Sequence, residues 1–346
     1  MLNLRSRQVT CFKLVTIALF ASGLIPVHAQ VVASANRPAK VPEGYLVTPM
    51  GYFHPSCVKQ VAKGDVLHPD EKAIYHADGS FDSMPTCAFP HFTAKGELVP
   101  MEPTSNDTGT AKRTLTPLNP SADSKNEKPP FIGHSWMVDV EAFSTSSYGE
   151  VTSEFKVPKA PTSHDGQTIY LFPGLQDFNS VPTETILQPV LGWNAYYNNA
   201  WGIASWNCCV NNTLYVSTPE KAKTGDTIYG QVINQCKSGT LECTKWTVKT
   251  EDKTTGAYSD LFNESNFGQT FNWGFGSVLE VYDVKKCSDY PEGGSLESTA
   301  VTLYNDKFQK VSPTWYTSLP DGKSASPQCN YGAYLDGSTS KMTITY

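Results

Sequence analysis

From Phe131 to the C-terminus, apolar and polar residues alternate in short runs separated by turn residues, the pattern of half-buried β-strands. The clearest runs cover residues 135–142, 149–157, 168–173, 184–193, 213–218, 226–234 and 245–252. They continue through 271–284, 298–305, 313–319 and 341–346. In the last run Met342, Ile344 and Tyr346 alternate with Thr343 and Thr345, so one face is apolar. No segment here has the spacing of an amphipathic helix. Eleven strands in 216 residues predict an all-β domain, one antiparallel double-sheet β-sandwich of concanavalin-like form rather than two small barrels.

The preceding third of the chain reads differently. Residues 1–29 carry Arg5, Arg7 and Lys13, an apolar stretch from Leu14 to Pro26, and the small-residue site Val27-His28-Ala29, which predicts a secretory signal peptide. The apolar run is too short for a spanning helix. Residues 30–96 lack strong periodicity and predict an N-terminal pro-segment or small, partly irregular domain. Residues 97–130, rich in Pro, Ser and Thr, have the composition of a linker and of a processing site.

Charge sharpens this division. The chain has 346 residues and a net charge of −6, which excludes the clustered basic surface of a nucleic-acid or membrane-surface protein. Residues 30–130 are nearly neutral, whereas residues 131–346 carry 14 Lys+Arg against 22 Asp+Glu. Four histidines (His54, His68, His76, His91) fall in the earlier segment, where they offer a pH-sensitive contact to an acidic partner domain. Loss of the signal removes Cys11 and leaves eight cysteines, an even set that predicts disulfides in an exported chain, extracellular or periplasmic. Cys57–Cys87, Cys236–Cys243 and Cys287–Cys329 are the favoured pairs, and the adjacent Cys208 and Cys209 have no obvious partner. No cysteine or histidine spacing fits a metal site, and no cofactor is expected. Asn106, Asn211 and Asn263 begin glycosylation sequons.

The motifs of serine hydrolases, zinc peptidases and phosphate-binding loops are absent from the sequence. Two polar residues interrupt apolar strands instead. Gln188 shares a strand face with Ile186 and Val190, and Glu280 shares one with Val278 and Tyr282. A carboxylate so flanked is desolvated unless it lines a wet cleft, which raises its pKa and suits it to act as base and then acid. A nearby glutamine supplies amide donors to a developing oxyanion. Each also has a plain structural explanation, as a solvent-facing residue or a partner for backbone. Trp193, Tyr196, Trp201, Trp206 and Tyr282, with Asp177, are candidate lining residues of a substrate cleft; aromatic residues equally build sandwich cores.

Residues 135–305 resemble the glutamic peptidases of the scytalidoglutamic and aspergilloglutamic type, the eqolisins. The resemblance rests on Trp136, GEVTSEFKVP, TIYLFPGLQD, the Ile-Leu-Gln strand at 186–188 with Trp193, the TGDTI turn at 224–228, and VLEVYDVKKC at 278–287. Pro189 stands where that family has a small polar residue. More distantly the chain is similar to neprosin-type proteins, which carry a glutamate pair. The resemblance implies a secreted acid endopeptidase, monomeric and made as a zymogen, that hydrolyses protein or peptide substrates with a Glu/Gln dyad. Glu280 would be the general base and Gln188 the carbonyl-polarising residue. The competing expectation is a non-catalytic sandwich that binds polysaccharide or peptide through an aromatic cleft.

Overall fold

The computed structural model describes residue 31 and residues 37–84, 86–99, 136–177, 185–209, 212–264, 270–319, 326–336 and 340–346. The expected signal peptide, nearly all of the 97–130 linker, and the sequons at Asn106 and Asn211 lie outside the described residues. Sixteen strands carry the architecture: β1 (Val58–Val61), β2 (Val66–His68), β3 (Trp136–Phe143), β4 (Tyr148–Lys156), β5 (Thr168–Gln176), β6 (Ile186–Trp193), β7 (Trp201–Cys208) and β8 (Leu214–Ser217). Then follow β9 (Thr227–Asn234), β10 (Lys245–Asp252), β11 (Tyr258–Glu264), β12 (Trp273–Tyr282), β13 (Ser295–Asn305), β14 (Tyr316–Ser318), β15 (Gly332–Asp336) and β16 (Lys341–Thr345). Among the described residues there is no α-helix.

The strands form two large sheets. The first runs β14-β3-β12-β5-β6-β7-β8-β1, and the second β15-β16-β13-β4-β9-β10-β11-β2 before two short strands, Ala73–Tyr75 and Phe81–Ser83. Apart from β1 and β2, which pair in parallel with β8 and β11, neighbours are antiparallel. The expected all-β double-sheet sandwich is therefore what the chain builds. Strands β9 to β11 alternate buried and half-buried positions, as in a sheet wetted on one face. Strands β5, β6, β7 and β12 are buried at every position.

That difference has a structural cause. Beyond donating β1 and β2 to the sheet edges, the N-terminal segment adds a third layer. A small sheet of Leu46–Thr48, Gly51–Phe53, His91–Phe92 and Leu98–Val99 covers the outer face of the first sheet. Tyr45, Val47, Tyr52, Phe53 and Phe92 pack there in one core with Tyr170, Phe172, Trp206, Phe275 and Tyr282. Between the two large sheets a separate core joins Ile169, Leu171 and Leu279 to Phe155, Ile228 and Ile344.

Pro189 and Pro173 fit into the middle of this sandwich without breaking it. The β5–β6 register sets them opposite each other, so the two missing N–H donors fall at one place in the ladder and pairing resumes on both sides. Both rings lie against Gly230 of the second sheet, where a Cβ would meet Pro173 at 2.9 Å and Pro189 at 3.0 Å. Four disulfides are formed: Cys57–Cys87, Cys236–Cys243 and Cys287–Cys329, as expected, and Cys208 with its neighbour Cys209. Asn263 is fully buried and accepts from Asn207 at 2.8 Å, which closes its sequon to glycosylation in the folded chain. No helix among the described residues is long and apolar enough to cross a membrane.

Candidate active site on the covered face

Alternation places Glu280 and Gln188 on the same face of the first sheet, under the N-terminal layer, and both are fully buried. Glu280 pairs across the ladder with Trp136 on β3 and with Tyr170 on β5. Its carboxylate is held from two directions. The Tyr282 hydroxyl donates to Oε1 at 2.6 Å and the Trp136 indole N–H donates to Oε2 at 3.1 Å. Donors to an ionised acceptor make the stronger class of hydrogen bond and offset part of the loss of water.

Tyr170 completes this end of the face. Cross-strand partners on one face lie about 4.5–5.5 Å apart at Cβ, so its ring stands beside Glu280. Its hydroxyl donates to the backbone carbonyl of Val47 at 3.0 Å. Burial, with Tyr196, Glu280 and Tyr52 adding negative potential, pushes the Tyr170 phenol well above its ordinary pKa, so it stays a donor. Tyr52 and Tyr282 meet edge to face at 5.5 Å, which seats the N-terminal layer directly over the carboxylate.

Gln188 lies at the other end. The β5–β6 register sets it opposite Gly174; a Cβ there would lie in ordinary contact with the Gln188 Cγ, at 3.7 Å, and only 3.0 Å from the Leu187 carbonyl oxygen. Across β7 its partner is Trp206. From Tyr170, level with Glu280, to Gly174 is four residues, about 13 Å along the strand, and β6 and β12 are two strand spacings apart, about 10 Å. No hydrogen bond joins the two side chains; among the described residues neither amide atom of Gln188 has a partner. Leaving such buried groups unpaired costs about 1–3 kcal/mol each.

The other expected lining residues divide. Tyr196, Trp206 and Tyr282 share the covered face, with Trp206 donating to the Tyr196 hydroxyl at 2.8 Å. Trp193 and Trp201 do not: strand alternation turns both into the core between the large sheets, so they line no cleft here. Asp177 is buried just past the end of β5, seven residues beyond Tyr170, and its backbone N–H bonds Thr185 at the hairpin that follows. Tyr170 was absent from the sequence-derived set. Its signal was present, since it alternates with Phe172 on one face of TIYLFP, but only the register shows that it borders Glu280. Trp136 was noted only as part of a motif, for the same reason.

No family model matches the chain, and comparison with curated proteins returns no match. Among solved structures it is similar to scytalido-glutamic peptidase bound to a transition-state analogue inhibitor, at 15% identity and a TM-score of 0.42, over 61% of this chain and 98% of that one. It is also similar to SCP-B, a member of the eqolisin family complexed with the tripeptide Ala-Ile-His, at 17% identity and TM-score 0.40 over the same shares. Aspergilloglutamic peptidase from Aspergillus niger follows at 17% identity and TM-score 0.33, over 52% of this chain and 98% of that one.

Proposed function

We propose that the protein is a secreted acid endopeptidase of glutamic type, made with its N-terminal segment lying over the active face. One observation carries this reading. A backbone carbonyl of an extended strand, that of Val47, rests on the Tyr170 hydroxyl in the position next to the buried Glu280 carboxylate. A substrate peptide bond needs the same disposition.

With substrate in place of the N-terminal strand, Glu280 takes a proton from a water molecule as that water attacks the carbonyl carbon. Tyr170 donates to the carbonyl oxygen while it gains charge. Collapse of the tetrahedral intermediate breaks the C–N bond, and protonated Glu280 passes its proton to the leaving amine. Trp136 and Tyr282 fix the carboxylate, whose two oxygens still have lone pairs for water. The carbonyl-polarising role that the resemblance gives Gln188 falls to Tyr170 in this register.

The disulfide pattern is compatible with a zymogen. Cys57–Cys87 lies within the N-terminal segment and the other three disulfides lie within the sandwich, so none of these four ties one to the other. A cut within residues 100–130 then leaves only non-covalent contacts holding the cover. Four disulfides also fit an oxidising, extracellular setting.

The test is incubation of a denatured protein with the processed chain between pH 3 and pH 7, beside Glu280→Gln. Wild type is expected to cleave under acid conditions and the variant to remain folded and inactive. The separation of Gln188 from Glu280 favours one other reading, a non-catalytic module that holds peptide or polysaccharide on the same aromatic face. Folded, processed wild type that cleaves nothing at any pH would establish it over the peptidase.

A further inference from the structure

Gln188 is the observation that the proposed mechanism leaves unused. It is a fully buried amide with no hydrogen-bond partner among the described residues, on a face that an extended strand already occupies at its Glu280 end. Gln176, Trp193 and Trp201 of the same sheet each leave one buried polar atom unpaired, but Gln188 leaves both ends of its amide so, which calls for an explanation beyond stability. Its inventory, two N–H donors and one carbonyl acceptor, matches the C=O and N–H of a passing peptide unit. Gly174 lies opposite it, where a Cβ would rest 3.7 Å from the Gln188 Cγ, and Trp206, Phe275 and Val190 border it with apolar surface.

Resting on the peptidase reading, we propose that Gln188 is a substrate-backbone reader: it binds an extended peptide about four residues from the bond held at Tyr170. The spacing is that between Tyr170 and Gly174 on β5, since Gln188 is level with the latter. The substrate class follows from the lining. It is an extended, uncharged peptide stretch with aliphatic or aromatic side chains, like the Tyr45, Val47 and Tyr52 that the N-terminal segment presents to this face. Short peptides that reach Tyr170 and stop before Gln188 are poor substrates because one anchor is lost. In the resting chain the amide waits unpaired.

Two measurements test this. In the full, unprocessed chain, Gln188→Leu should melt higher than wild type by a few degrees, since an apolar side chain replaces unpaired polar atoms; a lower melting temperature would show that the amide serves the resting structure and overturn the proposal. In the processed protein, KM and kcat are compared for a ten-residue apolar peptide and a four-residue peptide centred on the same cleavage site. Gln188→Ala should raise KM for the long peptide about tenfold with kcat reduced less than twofold, erasing the advantage of length. An equal fall of kcat on both peptides would put Gln188 in the chemistry and overturn it. If wild type cleaves neither peptide, the peptidase reading fails on its own. Calorimetric binding of the peptide spanning residues 41–54, against that spanning residues 45–48, then decides: a length preference lost in Gln188→Ala supports the backbone reader, and no such preference refutes it.

Discussion

Glu280 and Gln188 sit on one face of one sheet, both fully buried, yet their surroundings are opposite. The carboxylate has an indole N–H and a phenol on its oxygens and a second hydroxyl opposite it holding a peptide carbonyl. The amide, four residues further along, has no hydrogen-bond partner among the described residues. A charge is far costlier than an amide to leave bare in such a place; in the proposed reading the first site is therefore organised before substrate arrives and the second is completed by it. Two polar residues of similar appearance in the sequence therefore take different work.

Four substitutions or conditions probe this contrast. Tyr170→Phe removes the carbonyl donor beside Glu280, and kcat should fall by about 10²–10³-fold, the usual loss for one oxyanion donor. Steady-state kinetics on a long peptide reads it; a change confined to KM would return the donor role to Gln188.

Acidification should loosen the cover over the Glu280 end. His91 is buried against Phe53, their rings stacked 4.4 Å apart, and burial lowers its pKa to about 4. The unfolded segment therefore takes up the proton first. The packing is at full strength above about pH 6.5 and loses about 3 kcal/mol as pH falls towards 4. His76, raised above its ordinary value chiefly by its hydrogen bond to Asp65, acts the opposite way and stabilises its own hairpin when charged. Hydrogen exchange of the Leu46–Thr48 and Gly51–Phe53 amides should accelerate, after correction for intrinsic rate, between pH 6.5 and 4. His91→Phe should flatten that dependence.

Tyr282→Phe leaves one carboxylate oxygen without its phenol donor. The expected loss is about 1.5–3 kcal/mol of stability in urea unfolding near neutral pH, the range for hydrogen bonds to charged groups. No loss would mean that Glu280 does not depend on this clamp. Smallest is Gly230→Ala, away from both sites. Its methyl meets the rigid Pro173 and Pro189 rings, at an expected cost of about 1–3 kcal/mol with kcat little changed.

Much of the fold could be read directly from the residue pattern. The run at 245–252 is β10 to the residue, and the remaining runs named from alternation all contain strands. Besides β15 and the two- and three-residue strands of the sandwich other than β14, three kinds of strand escaped. WGIASWNC (β7) is buried at every position, so it shows no alternation to detect. YSDLFNE (β11) carries Ser259 and Asn263 on its buried face and Tyr258 and Phe262 on its wetter one, which erases the alternation. The N-terminal strands are only two to four residues long and take their stability from sheets built elsewhere in the chain. The site was legible as residues and not as geometry. Polar residues inside apolar runs marked Glu280 and Gln188, and alternation gave their common face. How far apart they lie depends on pairing across β5, which no local pattern encodes. Trp193 and Trp201 were misplaced for another reason: Trp193 has the opposite parity to Gln188 on β6, which alternation already shows, and Trp201 lies on β7, which has no alternation to read.

The most direct test of the contrast is a side-by-side measurement of kcat for Glu280→Gln and Gln188→Ala in the processed protein, on one long peptide at acid pH. The account predicts no measurable turnover for the first, and for the second a kcat within twofold of wild type with a raised KM. Loss of turnover in both would contradict it, since the two residues would then act as a single catalytic pair.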